Sequence, residues 1–97
     1  MINAQVRGET GEVLVRGESG LNWSNEMAGL DRSSFPMIGH VCPYTDTIFN
    51  SWQVPTLMDE LLRLPAGVAS AETIEELRSL CQFVLDGPHR YLWFLGD

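Results

Sequence analysis

The segment Tyr91-Leu-Trp-Phe-Leu95, close to the C-terminus, is apolar at five successive positions. Successive side chains of a strand point to opposite faces, so a strand with one buried face would alternate between apolar and polar residues. The unbroken run therefore predicts that residues 90–95 form a strand inside a sheet, with both faces covered. The helices can cover only one of these faces, so the other must be covered by the segment 21–36, a further sheet or a partner protein. We favour a cover within the chain, because large exposed apolar patches are rare on monomers.

Two hairpins are expected in the first half of the chain. Apolar and polar residues alternate over residues 2–6 and 13–15, on either side of a turn near Glu9-Thr10-Gly11,. Residues 37–41 and 47–50 flank a stretch with proline, threonine and aspartate, which is typical of a turn. The first pattern predicts one hairpin and the second pattern predicts another.

A first helix is predicted to begin at Thr56. Its hydroxyl can cap the first turn, and Asp59, three residues later, can reach back to it,. Pro65 and Gly67 should end this helix. The apolar residues at helical spacing are Leu57, Met58, Leu61, Leu62 and Leu64.

A second helix is predicted to begin after Ser70 and to end at Gly87-Pro88. Its first turns carry Glu72, Glu75 and Glu76, near the positive end of the helix dipole and on the solvent side. Its apolar stripe consists of Ile74, Leu77, Leu80, Cys81, Val84 and Leu85. The short connection between the two helices predicts a helical hairpin that must lay its apolar stripe on a sheet.

The expected fold is therefore α+β, with residues 1–97 in a single domain. An antiparallel sheet of about five strands should combine two N-terminal hairpins with the C-terminal strand. The helical hairpin should cover one face of that sheet.

Composition excludes several classes of function. The chain has no lysine, and its six arginines stand against thirteen acidic residues for a net charge of −7. Walker-type phosphate loops, kinases and Schiff-base enzymes need a lysine amine. A nucleic-acid binder needs a basic surface, which an acidic chain lacks. No apolar run is long enough to predict a membrane helix, and the N-terminus lacks the pattern of a signal peptide. We therefore expect a cytoplasmic protein that binds neither nucleic acid nor membrane.

Metal and thiol chemistry have weak sequence support. His40, Cys42, Cys81 and His89 could in principle bind zinc, but their spacing fits no zinc pattern,. A nucleophilic set of Cys42, His40 and Asp46 is available by composition alone, with no marked oxyanion hole. We expect two reduced core cysteines, no metal and no cofactor.

Two segments of the second half resemble a group of small bacterial proteins that are common in actinobacteria. The first is Pro43-Tyr-Thr-Asp-Thr-Ile-Phe-Asn50, with its Tyr-x-Asp-Thr-x-Phe-Asn pattern, and a leucine-rich helix follows it. The second is the terminal His-x-Tyr-x-x-Phe-x-Gly-Asp pattern, which runs from His89 to Asp97. The resemblance implies a stand-alone bacterial domain and no particular activity.

Two hypotheses about function follow, with non-enzymatic action favoured. The first is a non-enzymatic acidic protein, such as an immunity or antitoxin-like inhibitor, that binds a partner protein. A basic partner would complement its acidic charge. A homodimer is compatible with this hypothesis. Its expected partner-binding residues are Tyr44, Asp46, Trp52, Glu72, Glu75 and Glu76. The alternative is a small enzyme or ligand-binding module with its site near Tyr44, Asp46, Asn50 and His89,.

Overall fold

The computed structural model describes residues 1–96, so Asp97, the last residue of the terminal pattern, lies outside the described residues. The strands are β1 (Asn3–Gly8), β2 (Val13–Arg16), β3 (Thr47–Phe49) and β4 (Arg90–Leu95). The helices are α1 (Asn25–Ala28), α2 (Val54–Arg63) and α3 (Ala71–Leu85), and a short 3-10 helix spans Ile38–His40. The fold is α+β, as the sequence predicts.

Strand β4 lies inside an antiparallel sheet of order β2-β1-β4-β3. It pairs with β1 along its whole length, from Arg90 opposite Gly8 to Leu95 opposite Asn3. On its other side it pairs with β3, where Trp93 lies opposite Ile48. The interior position predicted for this strand is confirmed.

The first predicted hairpin is also confirmed, because β1 and β2 pair around a tight turn. The amide of Gly8 donates to the carbonyl of Glu12 at 2.9 Å, and Gly11 adopts a positive φ of 88° that favours glycine,. The register shifts between Val6 and Arg7, which leaves Leu14 without a partner on β1. Such a bulge lets a short edge strand twist away from further pairing.

The second predicted hairpin is wrong. Residues 47–49 form β3, but the expected opposite strand, residues 37–41, folds as the 3-10 helix Ile38–His40. The carboxylate of Glu60, fully buried in α2, accepts from the amides of Met37 and Ile38 at 2.9 to 3.1 Å. These amides bind a helix carboxylate instead of a neighbouring strand, so residues 1–96 contain four strands and not five.

One face of the sheet forms the core. Ala4, Val6, Leu92 and Phe94 point into it and are at most 3% exposed. The rings of Phe49 and Phe94 meet edge to face, with centroids 5.9 Å apart. Helix α3 contacts both β1 and β4, and α2 contacts α3. The apolar core therefore lies between the central strands and the helices.

The segment 21–36 packs into this same core. Leu21, Met27 and Phe35 are buried members of the single apolar cluster that also contains Leu92 and Phe94. Around Met27 the chain makes one helical turn, α1, capped by the hydroxyl of Ser24. Because this segment joins the core side, it does not cover the opposite face of β4. The expected cover of both faces by the chain itself is therefore wrong.

Helix α2 begins two residues before the predicted start. Its N-cap is Gln53, and Thr56 lies inside the helix. The Oδ1 atom of Asn50 accepts from the amides of Trp52 and Gln53, which satisfies donors that precede the helix,. Leu62, assigned to the apolar stripe by its spacing, is 64% exposed. Helix α3 begins as predicted, because Oγ of Ser70 accepts from the amide of Thr73 at 3.1 Å.

We expect Glu60→Ala to lower the free energy of unfolding by about 3 kcal/mol, because it leaves two amides without their acceptor and opens a small cavity. Urea unfolding followed by far-UV circular dichroism measures this change. Asp59→Ala is the matched control on the same helix. It removes only an exposed pair with Arg63, for which we expect a loss below about 0.5 kcal/mol,. Equal losses in the two variants would contradict the structural role of Glu60.

Candidate interaction surface

Within residues 1–96, α3 is the helix that makes substantial contacts with the sheet, so no helical layer packs against the sheet face opposite α3. We call it the outer face. Cross-strand register brings together side chains from β1, β3 and β4, because Gln5, Trp93 and Ile48 lie side by side, and Arg7 lies opposite Tyr91. None of them belongs to the apolar core cluster. The central side chains of the outer face are Gln5, Arg7, Ile48, Tyr91, Trp93 and Leu95.

Apolar and aromatic side chains of the outer face reach the solvent. Ile48 is 46% exposed, and Tyr91, Trp93 and Leu95 are half-buried. The apolar residues of β4 are thus divided between a buried face and a partly exposed face. Leu92 and Phe94 fill the core, and the three residues that alternate with them form an aromatic and aliphatic surface.

The guanidinium of Arg7 lies over the ring of Trp93 on this surface. Its guanidinium carbon is 4.2 Å from the centroid of the tryptophan ring, within the range of a cation–π contact,. Its Nε atom donates to Oε1 of Gln5 at 2.6 Å. Gln5 itself is 5% exposed and lies between Arg16 of β2 and Trp93 of β4. The stacking and the hydrogen bond together fix the plane of the guanidinium.

Two further aromatic side chains lie on the segments before and after β3. Trp52 is 91% exposed and Tyr44 is 77% exposed. The hydrogen bond from the Trp52 amide to Oδ1 of Asn50, at 2.9 Å, holds Trp52 on a tight turn before α2. Asp46 accepts from the amide of Gly96 through Oδ1 at 3.2 Å, which ties the start of β3 to the end of β4. Tyr44 and Trp52 are thus exposed to solvent, and Asp46 has a local structural role.

The three predicted acidic residues of α3 do not behave alike. Glu72 and Glu75 are exposed, as expected. Glu76 instead accepts from the amide of Glu18 at 2.6 Å and from that of Ser19 at 2.9 and 3.1 Å. Burial raises the pKa of Glu76, but the hydrogen bonds from Ser19 and Glu18 outweigh this effect and leave its pKa below the ordinary value,. The prediction that Glu76 is a solvated surface acid is therefore wrong.

The predicted partner-binding residues fall on two separate surfaces. Glu76 binds the segment that follows β2, whereas Tyr44, Asp46 and Trp52 flank β3. Strands β2 and β3 are the opposite edges of the sheet. A single contact surface therefore does not contain all six residues.

The residues of the alternative ligand site are also separated. Asp46 binds Gly96, beyond the end of β4, and Tyr44 lies two residues before Asp46. Asn50 and His89 lie near the start of β4, where Nδ1 of His89 is 3.8 Å from Oε2 of Glu9. The six residues of β4 between these ends span about 20 Å. The four side chains therefore do not converge on one pocket.

The two cysteines differ in environment. Burial raises the pKa of Cys81 to about 12, and this thiol is fully buried in α3. Hydrogen bonds from the Thr45 hydroxyl and the Tyr44 amide lower the pKa of Cys42, which lies in the loop before β3. Cys81 is thus a core residue, and Cys42 is not. The described residues contain no group of three or more His, Cys, Asp or Glu side chains placed to hold a metal.

One surface recess has a volume of about 450 Å³. It lies where residues 20–24 meet residues 67–73, and glycine, serine and small apolar residues line it. None of the predicted site residues contributes to it, and no ionisable side chain lines it. Its chemistry gives it no catalytic group.

Comparison of the chain with known protein families, with curated proteins and with solved structures finds no match in any of the three. The resemblance of residues 43–50 and 89–97 to a bacterial group therefore stays a prediction. Within residues 1–96, no helix combines the length and the apolar character needed to cross a bilayer.

We expect Glu76→Gln to lower the free energy of unfolding by about 1 kcal/mol at neutral pH, because a neutral amide accepts the two backbone hydrogen bonds less strongly. The folded-state pKa of Glu76 is depressed, so its contribution is full above the ordinary pKa of 4.5 and is lost as pH falls through the lower folded-state value,. Unfolding in urea at neutral and acidic pH should therefore show a difference that shrinks with acid. Glu75→Gln, on the exposed side of α3, should change little at either pH. A pH-independent loss in Glu76→Gln would contradict the assigned role.

The thiols should differ in reactivity. We expect iodoacetamide to alkylate Cys42 in the folded protein, because the thiolate is the nucleophile and its pKa is lowered,. Cys81 should react only in denaturant. Mass spectrometry of the labelled protein measures both, and Cys42→Ser should remove all labelling of the folded state. Equal labelling of both cysteines without denaturant would contradict the burial of Cys81.

Proposed function

We propose that this chain is a non-enzymatic interaction protein that binds a partner protein through the outer face and the adjoining aromatic residues Tyr44 and Trp52. The observation that carries the proposal is the exposure of apolar and aromatic side chains on and beside a sheet face that no helix of the described part of the chain covers. Trp52, at 91% exposed, makes no contribution to the core. Tryptophan and tyrosine are enriched among the residues that dominate binding energy at interfaces.

A protein partner suits this surface better than a small substrate does. Small-molecule sites are concave and bring a few polar groups together around the ligand. The outer face is a sheet surface, and the candidate ligand residues Tyr44, Asp46, Asn50 and His89 lie at two ends of β4. This separation supports binding over catalysis.

The charge of the chain supports a partner of basic overall charge, as for an immunity or antitoxin-like inhibitor. The net charge is −7, and Glu72 and Glu75 present carboxylates to solvent on α3. Such charges steer a basic partner towards the protein and raise the association rate at low salt. They act at a distance, whereas the aromatic contact determines how long the complex lasts.

The test is affinity capture from the source organism at low and high salt, followed by quantitative binding with the retained protein. We expect Trp52→Ala or Ile48→Asp to weaken binding by about tenfold or more, mainly through faster dissociation. Replacing Glu72 and Glu75 with glutamine should slow association a few-fold at low salt only. Leu62→Ala, which truncates a 64% exposed apolar residue on α2, is the matched control and should bind normally.

The opposite result is also well defined. If no protein is retained at either salt concentration, while a small molecule raises the melting temperature, the chain is a ligand-binding module. Loss of binding in Leu62→Ala, with normal binding in Ile48→Asp, would place the contact surface on the helices.

A further inference from the structure

The guanidinium of Arg7 is held in one orientation and has unused donors. Trp93 supports its face at 4.2 Å, and Gln5 accepts from Nε at 2.6 Å. Within residues 1–96, no acceptor hydrogen-bonds to its two terminal amino groups, and no carboxylate forms an ion pair with it. Glu9, two residues further on, lies beside His89 instead. The two amino groups thus form a preorganised pair of donors at the centre of the outer face.

The other arginines with assigned hydrogen bonds are used within the chain. Arg63 donates to the carbonyl of Ser34 at 3.1 Å, Arg90 donates to the carbonyl of Phe83 at 2.7 Å, and Arg32 donates to the carbonyl of Gly39. Each of them ties two parts of the protein together. Arg7 hydrogen-bonds to Gln5 on its own strand and stacks on Trp93 of β4, but its two terminal amino groups tie it to no other part of the described residues.

The outer face is also locally positive in an acidic protein. Arg16 lies opposite Gln5 and shares this face with Arg7. The other paired strand positions of the outer face hold no charged residue, although the chain carries thirteen acids. A charged group that docks here therefore meets positive charge, whatever the overall charge of the protein.

We propose that the outer face binds a partner segment that presents a carboxylate side chain to Arg7 and an adjoining apolar side chain to Ile48 and Leu95. The inference rests on the proposed function and names the chemistry that the partner supplies at this surface. A planar guanidinium with two free amino groups matches the two oxygens of a carboxylate. The stacking on Trp93 fixes the guanidinium in advance, so less side-chain entropy is lost when the carboxylate binds.

The observations favour a protein segment over a nucleic acid. Single-stranded nucleic acids bind by stacking bases on exposed aromatic rings, and Arg7 already covers one face of Trp93,. The net charge of −7 opposes a polyphosphate backbone but tolerates a single carboxylate at a locally positive position,.

A second copy of this chain fits less well. Two outer faces related by a two-fold axis would bring Arg7 and Arg16 of both copies together. Four strands spaced by about 4.8 Å, of which β1 and β4 are about 20 Å long and β2 and β3 are shorter, offer roughly 300 Å²,. This is less than the roughly 800 Å² per partner of a stable interface. A short segment of another protein needs no larger area than this.

A double-mutant cycle tests the proposal. Random peptides displayed on phage are selected on the folded protein, and the selected peptides are synthesised with each Asp or Glu replaced by its amide. We expect the selected peptides to share an acidic residue next to an apolar one. Arg7→Gln and the amide peptide should each weaken binding by about tenfold, and the two changes together should weaken it no further. Tryptophan fluorescence titration measures each affinity.

Two variants separate geometry from charge. Arg16→Gln removes the same charge from the same face but no preorganised donors, so we expect less than about a threefold loss. Arg7→Lys keeps the charge and loses the planar pair of donors, and it should resemble Arg7→Gln. Unchanged melting temperatures exclude unfolding as the cause.

Several results would overturn the inference. Peptides without a common acidic residue, additive effects of the two changes, equal losses in Arg7→Gln and Arg16→Gln, or no selected peptide at all would each do so. If an oligothymidylate binds and Arg7→Gln abolishes that binding, the face is assigned to nucleic acid. If sedimentation shows a dimer that depends on Arg7, the face is assigned to a second copy of the chain. If the selected peptides lose binding to Ile48→Asp but still bind Arg7→Gln, the role of Arg7 is rejected while the proposed function stands.

Discussion

The structure depends on β4, because this strand joins both halves of the sheet and divides its side chains between two environments. It pairs with β1 on one side and with β3 on the other. Leu92 and Phe94 have no exposed surface, and each contributes about 1.5–3 kcal/mol of burial to the core,. The alternation of side chains along the strand then places Trp93 on the opposite face, away from α3,. The surface assigned to binding is thus a direct consequence of the same strand that holds the core together.

Two helix carboxylates connect distant parts of the chain. The chain has no lysine, and the partners of these carboxylates are backbone amides. Glu60 accepts from the amides of Met37 and Ile38, and Glu76 accepts from those of Glu18 and Ser19. A carboxylate that accepts charge-assisted hydrogen bonds is an effective partner for amides without strand neighbours. These two carboxylates therefore hold loops in place, and fewer carboxylates are available to a partner than the composition indicates.

Local signals in the sequence predicted part of this architecture. The alternating first hairpin, the cap at Ser70 and the interior strand β4 follow from short patterns. The 3-10 helix at residues 38–40 could not be predicted, because its acceptor, Glu60, is more than twenty residues away. The unbroken apolar run of β4 concealed which residues face the core. The pairing of Arg7 with Trp93 arises from strand register between the two ends of the chain, which no local pattern encodes.

The central claim is that the chain leaves the outer face open, and hydroxyl-radical labelling of the free protein at low concentration tests it most directly. Ile48, Tyr91 and Trp52 are accessible in the structure, whereas Leu92, Phe94 and Phe49 are at most 2% exposed. We expect oxidation of the first three in the folded protein and protection of the last three until denaturant is added. Protection of Ile48 and Tyr91 to the same degree as Phe94 would contradict the claim, because it would mean that another layer already covers this face.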